Sequence, residues 1–131
     1  MFVDASALCA ILLNETDGER YAAKIHAASS PRTSAIAVFE TVLAMVRVWK
    51  LDVAAARREL DRFLLLMRIE IIDLGDAEAA RALDAFDRYG KGRHPAKLNM
   101  GDCFAYACAR THGVPLLFKG DDFSRTDIAI A

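Results

Sequence analysis

Short apolar runs alternate along this chain with longer stretches of helical period, and the alternation predicts its elements. Phe2-Val3 reads as a strand ending at Asp4, and Ala5 to Leu13 as a buried helix. Asn14 to Gly18 breaks that helix, and Thr16-x-x-Glu19 reads as a capping box opening a second one to about Ala28. Ser29-Ser30-Pro31 is a loop. Thr33 to Ile36 reads as a short strand, followed without pause by a long apolar helix to about Trp49. Asp52 is placed to cap a helix to about Arg68, with Leu60, Phe63, Leu64 and Met67 on one side. Glu70 to Leu74 reads as a strand, and Asp76 opens a helix to about Tyr89. Gly90 to Leu98 is a polar, basic loop. Asn99 caps a helix from Met100 to His112, which Gly113 ends. Pro115 to Phe118 and Ile128 to Ala131 are short strands on either side of a polar turn region. Strands separated by helices predict an α/β fold: a central parallel β-sheet flanked by helices on both faces. Such sheets hold their ligands beyond the carboxyl ends of the strands.

Composition narrows the class. A length of 131 residues predicts one domain, residues 1–131. With 54% hydrophobic and 27% charged residues, the chain is a globule and not a disordered segment. A net charge of −1 excludes binding to nucleic acid by bulk attraction, so any such binding needs a local patch. Three cysteines without CxxC spacing exclude a disulfide framework and a zinc knuckle. No apolar run is long enough for a membrane span, and MFVDASALCAILL lacks the basic region of a signal peptide. The expectation is a reduced, cytoplasmic protein.

Most acidic residues have an ordinary place. Glu59, Asp61, Glu78, Asp84 and Asp87 are expected on solvated helix faces. Four positions stand apart. Asp4 ends the first strand, where an N-cap is its simplest role, and Ser6 follows either to back the same place or simply to cap the turn. Glu40 is the sole charge in the run from Ile36 to Val46. A helix apolar on nearly every side is expected to be buried, where an unpaired carboxylate would cost several kcal/mol, unless Glu40 lies on one narrow solvent-facing stripe, which Thr41 and Arg47 allow. Asp102 is the third residue of the helix capped by Asn99, an Asn-x-x-Asp capping arrangement. Asp121 and Asp122 follow the strand ending at Phe118, in what is otherwise a turn. Each comes after a predicted strand, so a parallel sheet brings all of them to one edge. Carboxylates converging there repel unless a divalent cation neutralises them. All-oxygen ligation selects Mg²⁺ or Mn²⁺ over zinc, and such a site suits hydrolysis of a phosphodiester.

These residues resemble the PIN-domain ribonucleases, most closely the VapC-type toxins of bacterial toxin–antitoxin pairs. The matching segments are VDASAL, VFETVL, YGKGRHPAKLNMGDCFAYACA and PLLFKGDDFSRTDI, so the resemblance covers essentially the whole chain. It implies a PIN-like three-layer sandwich and a Mg²⁺- or Mn²⁺-dependent endoribonuclease, leaving a 3′-hydroxyl and a 5′-phosphate. It implies Asp4, Glu40 and Asp102 as core metal-binding and catalytic carboxylates, with Asp122 as the fourth and Asp121 as second choice. Ser6, Asn99 and Thr126 would support the site, with Asp127 beside Thr126 lacking a firm role. It also implies a homodimer and a VapB-type antitoxin whose carboxyl-terminal segment points a basic side chain at the carboxylates.

From Gly90 to Gly120, Lys91, Arg93, Lys97, Arg110 and Lys119 face one acid, Asp102, making the segment +4. A basic rim beside a metal centre is what an RNA backbone needs, and Lys91, Arg93, His94 and Lys97 are the expected contacts. Two other classes compete. A receiver-like Mg²⁺-binding signalling domain would use Asp73 as phospho-acceptor and Lys119 as its lysine, but it leaves Glu40 and Asp102 without a role. A non-catalytic binding module would use the acids as helix caps only.

Overall fold

The strands are two or three residues long, which leaves the helices to build the layers. The structure, a computed structural model, describes residues 1–131. The strands are β1 (Phe2–Val3), β2 (Arg32–Ser34), β3 (Glu70–Ile72) and β4 (Leu116–Leu117). The helices are α1 (Ala5–Leu12), α2 (Gly18–Ala27), α3 (Ala35–Trp49), α4 (Val53–Leu66), α5 (Asp76–Tyr89) and α6 (Met100–Thr111). All strand pairs are parallel, in the order β3-β2-β1-β4. Phe2 lies opposite both Arg32 and Leu116, so β1 is central and its end is flanked on both sides.

Side chains alternate across the sheet and separate the two cores. Phe2 and Leu116 point into a core with Ala82, Ala85, Tyr106 and Cys108 of α5 and α6. Val3 and Leu117 point the other way, onto Leu8, Val38, Met45 and Leu60 of α1, α3 and α4. All four strand residues are at most 1% exposed, as a parallel strand covered on both faces requires. Helices on both faces of one sheet make the three-layer α/β arrangement. No helix is long and apolar enough to cross a membrane.

The expected caps form at Asp4, Asp52 and Asn99, and Ser34, expected inside a strand, caps the helix that starts at Ala35; each accepts a backbone N–H of its own helix. Four expectations are corrected. The Thr16-x-x-Glu19 capping box does not form: α2 starts at Gly18 after Asp17, which makes no side-chain cap bond. The reason is the tight α1–α2 turn, in which a Cβ on Gly18 would stand 2.6 Å from the Ala10 carbonyl oxygen. The last strand is reduced to one bridge between Leu116 and Ile130, held by Leu116 N–H to Ala129 O and Ala131 N–H to Leu116 O. Helix α3 is not buried all round, for Phe39, Leu43, Val48 and Trp49 face outward. Glu78 is buried and not solvated, because its Oε2 accepts the Gly75 N–H at 2.9 Å and closes the start of α5.

Candidate active site

Asp4 sits where β1 gives way to α1, and the sheet holds it there. Its N–H donates to Leu117 O at 2.9 Å, continuing the β1–β4 ladder by one residue. Its Oδ2 accepts the Ser6 N–H at 2.9 Å and the Ser6 hydroxyl at 2.5 Å. The Ser6 oxygen in turn accepts the Lys119 N–H at 2.9 Å, which ties the start of α1 to the segment after β4. The capping and site roles therefore coincide in one carboxylate. Asp4 is 5% exposed. Burial raises its pKa, the Ser6 bonds oppose that rise, and the charge of Asp122 adds to it.

Glu40 stands in the second turn of α3, half-buried, and reaches toward the first turn of α6. Burial, then the charge of Asp4, raises its pKa. Asp102 is the third residue of α6 in a reciprocal capping box. Its Oδ2 accepts the Asn99 N–H at 2.8 Å, and its own N–H donates to Asn99 Oδ1 at 3.0 Å. Burial pushes the Asp102 carboxyl up to about 7, against the Asn99 bond and with help from the charges of Asp4, Asp122 and Glu40. Asp122 is exposed, in the turn after β4, and its charge bears on both Asp4 and Asp102. Beside it, the Asp121 carbonyl accepts the Ser124 N–H and hydroxyl.

Four acids on four separate segments thus share one field. None of them takes part in any of the protein's seven ion pairs. Buried like charges with no cation are costly, and a divalent ion with oxygen ligands is the chemistry that relieves them. The donor set fits such an ion in charge and atom type. As placed, no three acidic groups close on a common point.

Other sequence-predicted residues lie differently. Thr126 donates its hydroxyl to Phe123 O at 2.8 Å and fastens the turn without reaching an acid of the site. Asp127 accepts the Tyr106 hydroxyl at 2.5 Å and an Arg88 N–H at 3.1 Å, a tie between α5, α6 and the chain end. In the basic loop, Arg93 pairs with Asp87 at 2.8 Å and lies over the Phe86 ring. His94 packs edge-on to Tyr89, and its Nδ1 accepts the Ala96 N–H at 3.1 Å. Lys91 and Lys97 are exposed and outside every ion pair, whereas Lys119 pairs with Glu15. The +4 of the segment is therefore partly neutralised by neighbours from outside it.

No receiver-like pocket forms. Asp73 follows the edge strand β3, and β2 stands between it and the strand carrying Asp4. Lys119 is held by Glu15. Of the apolar residues on the early helices, Leu8 and Val42 are core, while Trp49 is 39% exposed. Two features of the site escape sequence reasoning. One is the Ser6 bridge to the Lys119 backbone, which joins residues 113 positions apart. The other is Gly101, whose open side faces the Glu40 carboxylate. A glycine inside a predicted helix was the only available signal for it.

Comparison with known proteins agrees over the full length. The PIN domain family model matches residues 1–129. Ribonuclease VapC30 of Mycobacterium tuberculosis is 41% identical over 129 residues, covering 98% of this chain and 96% of the relative. Ribonuclease VapC of Mycolicibacterium smegmatis is 40% identical over 131 residues, covering 98% of each. A solved toxin-antitoxin complex from Klebsiella pneumoniae superposes with a TM-score of 0.72 at 17% identity, over 99% of this chain and 95% of that one. That last likeness concerns the fold.

Proposed function

The chain belongs to the PIN-domain family, and from that membership we propose that it is a VapC-type toxin, a metal-dependent endoribonuclease of a toxin–antitoxin pair. The observation that carries the reading is the set of four carboxylates, Asp4, Glu40, Asp102 and Asp122, gathered at one sheet edge without a cationic partner. The whole chain, residues 1–131, acts as one domain.

Asp4, Glu40, Asp102 and Asp122 would hold Mg²⁺ or Mn²⁺. The ion, when bound, supplies a more acidic water and a counter-charge for the reacting phosphate. The chain's own part is placement. Ser6, anchored by the Lys119 N–H, keeps Asp4 from turning away. The Asn99 N–H holds the Asp102 carboxylate, and the Asn99 side chain caps the Asp102 backbone. Burial of Asp4 keeps bulk water off its inner face, where electrostatic interactions are stronger. Lys91 and Lys97, free of internal partners, are available to the flanking phosphates of an RNA strand, and Arg93 and His94 shape the loop that carries them. Hydrolysis joins the water oxygen to phosphorus and breaks the bond to the 3′-oxygen. The water gives up a proton and the 3′-oxygen gains one, leaving a 3′-hydroxyl and a 5′-phosphate.

The partner is a VapB-type antitoxin, and the working unit a homodimer. The uncompensated carboxylates explain why such an inhibitor would present a cation. The test is cleavage of total RNA by the purified, partner-free protein with Mg²⁺ or Mn²⁺. Cuts at a few sites, lost with EDTA and in Glu40→Gln, are expected. A folded wild-type protein that cuts no RNA with either metal would sink the reading.

A further inference from the structure

Gly101 is buried at the second position of α6, with ordinary helical backbone. Its φ is not among the positive values, unlike Gly92, Gly113 and Gly120. Backbone freedom therefore does not explain it. A glycine there weakens a helix relative to alanine. What the missing side chain leaves is room. A Cβ on Gly101 would lie 2.5 Å from Glu40 Oε2 and 2.6 Å from its Cδ, and closer still to Oε1. The three nearest atoms all belong to that one carboxylate.

We infer that Gly101 is a positioning residue: the bare Cα at the start of α6 is the seat on which the Glu40 carboxylate rests beside Asp102. The inference builds on the metal-site reading above. The geometry explains how a half-buried acid on α3 keeps its direction without a hydrogen bond or ion pair of its own. The first turn of α6 supplies Asp102 as an acid and Gly101 as a surface for the acid of another helix. Because the obstructed atoms are the far end of a flexible side chain, a methyl group at 101 displaces Glu40 and leaves the backbone in place. Alanine at this position is thus expected to harm the site and spare the fold.

The test is Gly101→Ala, read in three ways. Its melting temperature without metal is expected to equal or exceed that of the wild type. Its Mn²⁺ affinity, measured by electron paramagnetic resonance on the free protein, is expected to fall. Its RNA cleavage is expected to fall by about 10²-fold, the size of loss an ångström-scale misplacement produces. Rescue separates a seat from a general defect. Glu40→Asp alone weakens the wild-type site, but in the Gly101→Ala background its shorter side chain clears the methyl and restores part of the lost affinity and activity. A Gly101→Ala protein that binds Mn²⁺ and cleaves like the wild type overturns the inference, as does a double variant no better than Gly101→Ala. If the wild type itself neither binds Mn²⁺ nor cleaves, the metal-site reading fails instead.

Discussion

Two aspartates fastened to the same helix have been driven in opposite directions. At the start of α6, the Asp102 carboxyl is raised to about 7 by burial and by three neighbouring acids. Further along, Asp127 packs against Tyr106 and Arg110 of the same helix and falls to about 2. Its largest cause is the Tyr106 hydroxyl bond; burial opposes the fall, and the bond and charge of Arg88 add to it. One site is short of positive charge and the other is supplied with it. The Asp127 network satisfies itself: two arginines, two tyrosines and one acid hold α5, α6 and the chain end together. The carboxylate edge does not satisfy itself, and it lies where a parallel sheet exposes its ligand-binding rim. Converging, partly buried carboxylates left without a cation mark a place suited to something from outside.

The comparison breaks most visibly with one substitution on each side. Asp4→Asn or Asp102→Asn is expected to lower RNA cleavage by about 10³-fold or more, since each removes a group that would hold the metal. Either variant should stay folded and gain metal-free stability, because it removes a buried charge. Asp127→Asn is expected to leave cleavage within about twofold. An active Asp102→Asn or an inactive but folded Asp127→Asn would reverse the assignment of the two regions.

Metal addition is the next largest effect. Mn²⁺ at a hundred times its Kd stabilises the native state by about 2.7 kcal/mol, a rise in Tm of roughly 10 °C. EDTA should abolish the rise, and Asp102→Asn should shrink it, whereas Asp127→Asn should keep it. Thermal melts of the three proteins with and without metal decide this.

Acid and base separate the regions by sign. Without metal, Asp4, Glu40 and Asp102 hold protons in the folded state that the unfolded chain has already released. The folded state binds more protons, so stability falls as pH rises from about 4 to about 7. Asp127 works the other way. Its contribution is present above the ordinary carboxylate pKa and is lost as pH falls toward about 2. Melts across these windows should show Asp102→Asn flattening the upper slope and Asp127→Asn flattening the lower one. The smallest effect is the stability cost of Asp127→Asn at neutral pH. Because Arg88, Arg110 and Asp127 are all about half exposed, it should stay near 1 kcal/mol in a denaturant titration.

Much of the fold was readable along the chain, because it depends on local rules. Capping residues Asp52 and Asn99 mark helix starts through bonds spanning three residues. The strand–helix alternation is a matter of period, and it led to the parallel sheet. The order of the acids after successive strands, with their resemblance to a known family, led to the carboxylate edge. Local rules misled where distant chain intervened. Thr16 had the sequence of a cap, but the packing of Gly18 on Ala10 set the start of α2. Glu78 looked solvated, but the turn at Gly75 drew it in as a cap.

What the sequence by itself determined, then, was the set of elements, their parallel order and the residue types at the strand ends. These follow from spacing over a few residues, where backbone geometry and hydrophobic period leave few choices. The tertiary structure alone decided that the charge of Asp122 bears on Asp4 and Asp102, and that Ser6 is locked by the Lys119 backbone. It alone decided that Arg93 and Lys119 are already paired, and that Gly101 faces Glu40. Each depends on the direction of a side chain relative to residues from other segments, and that direction is set only when the helices pack against the sheet.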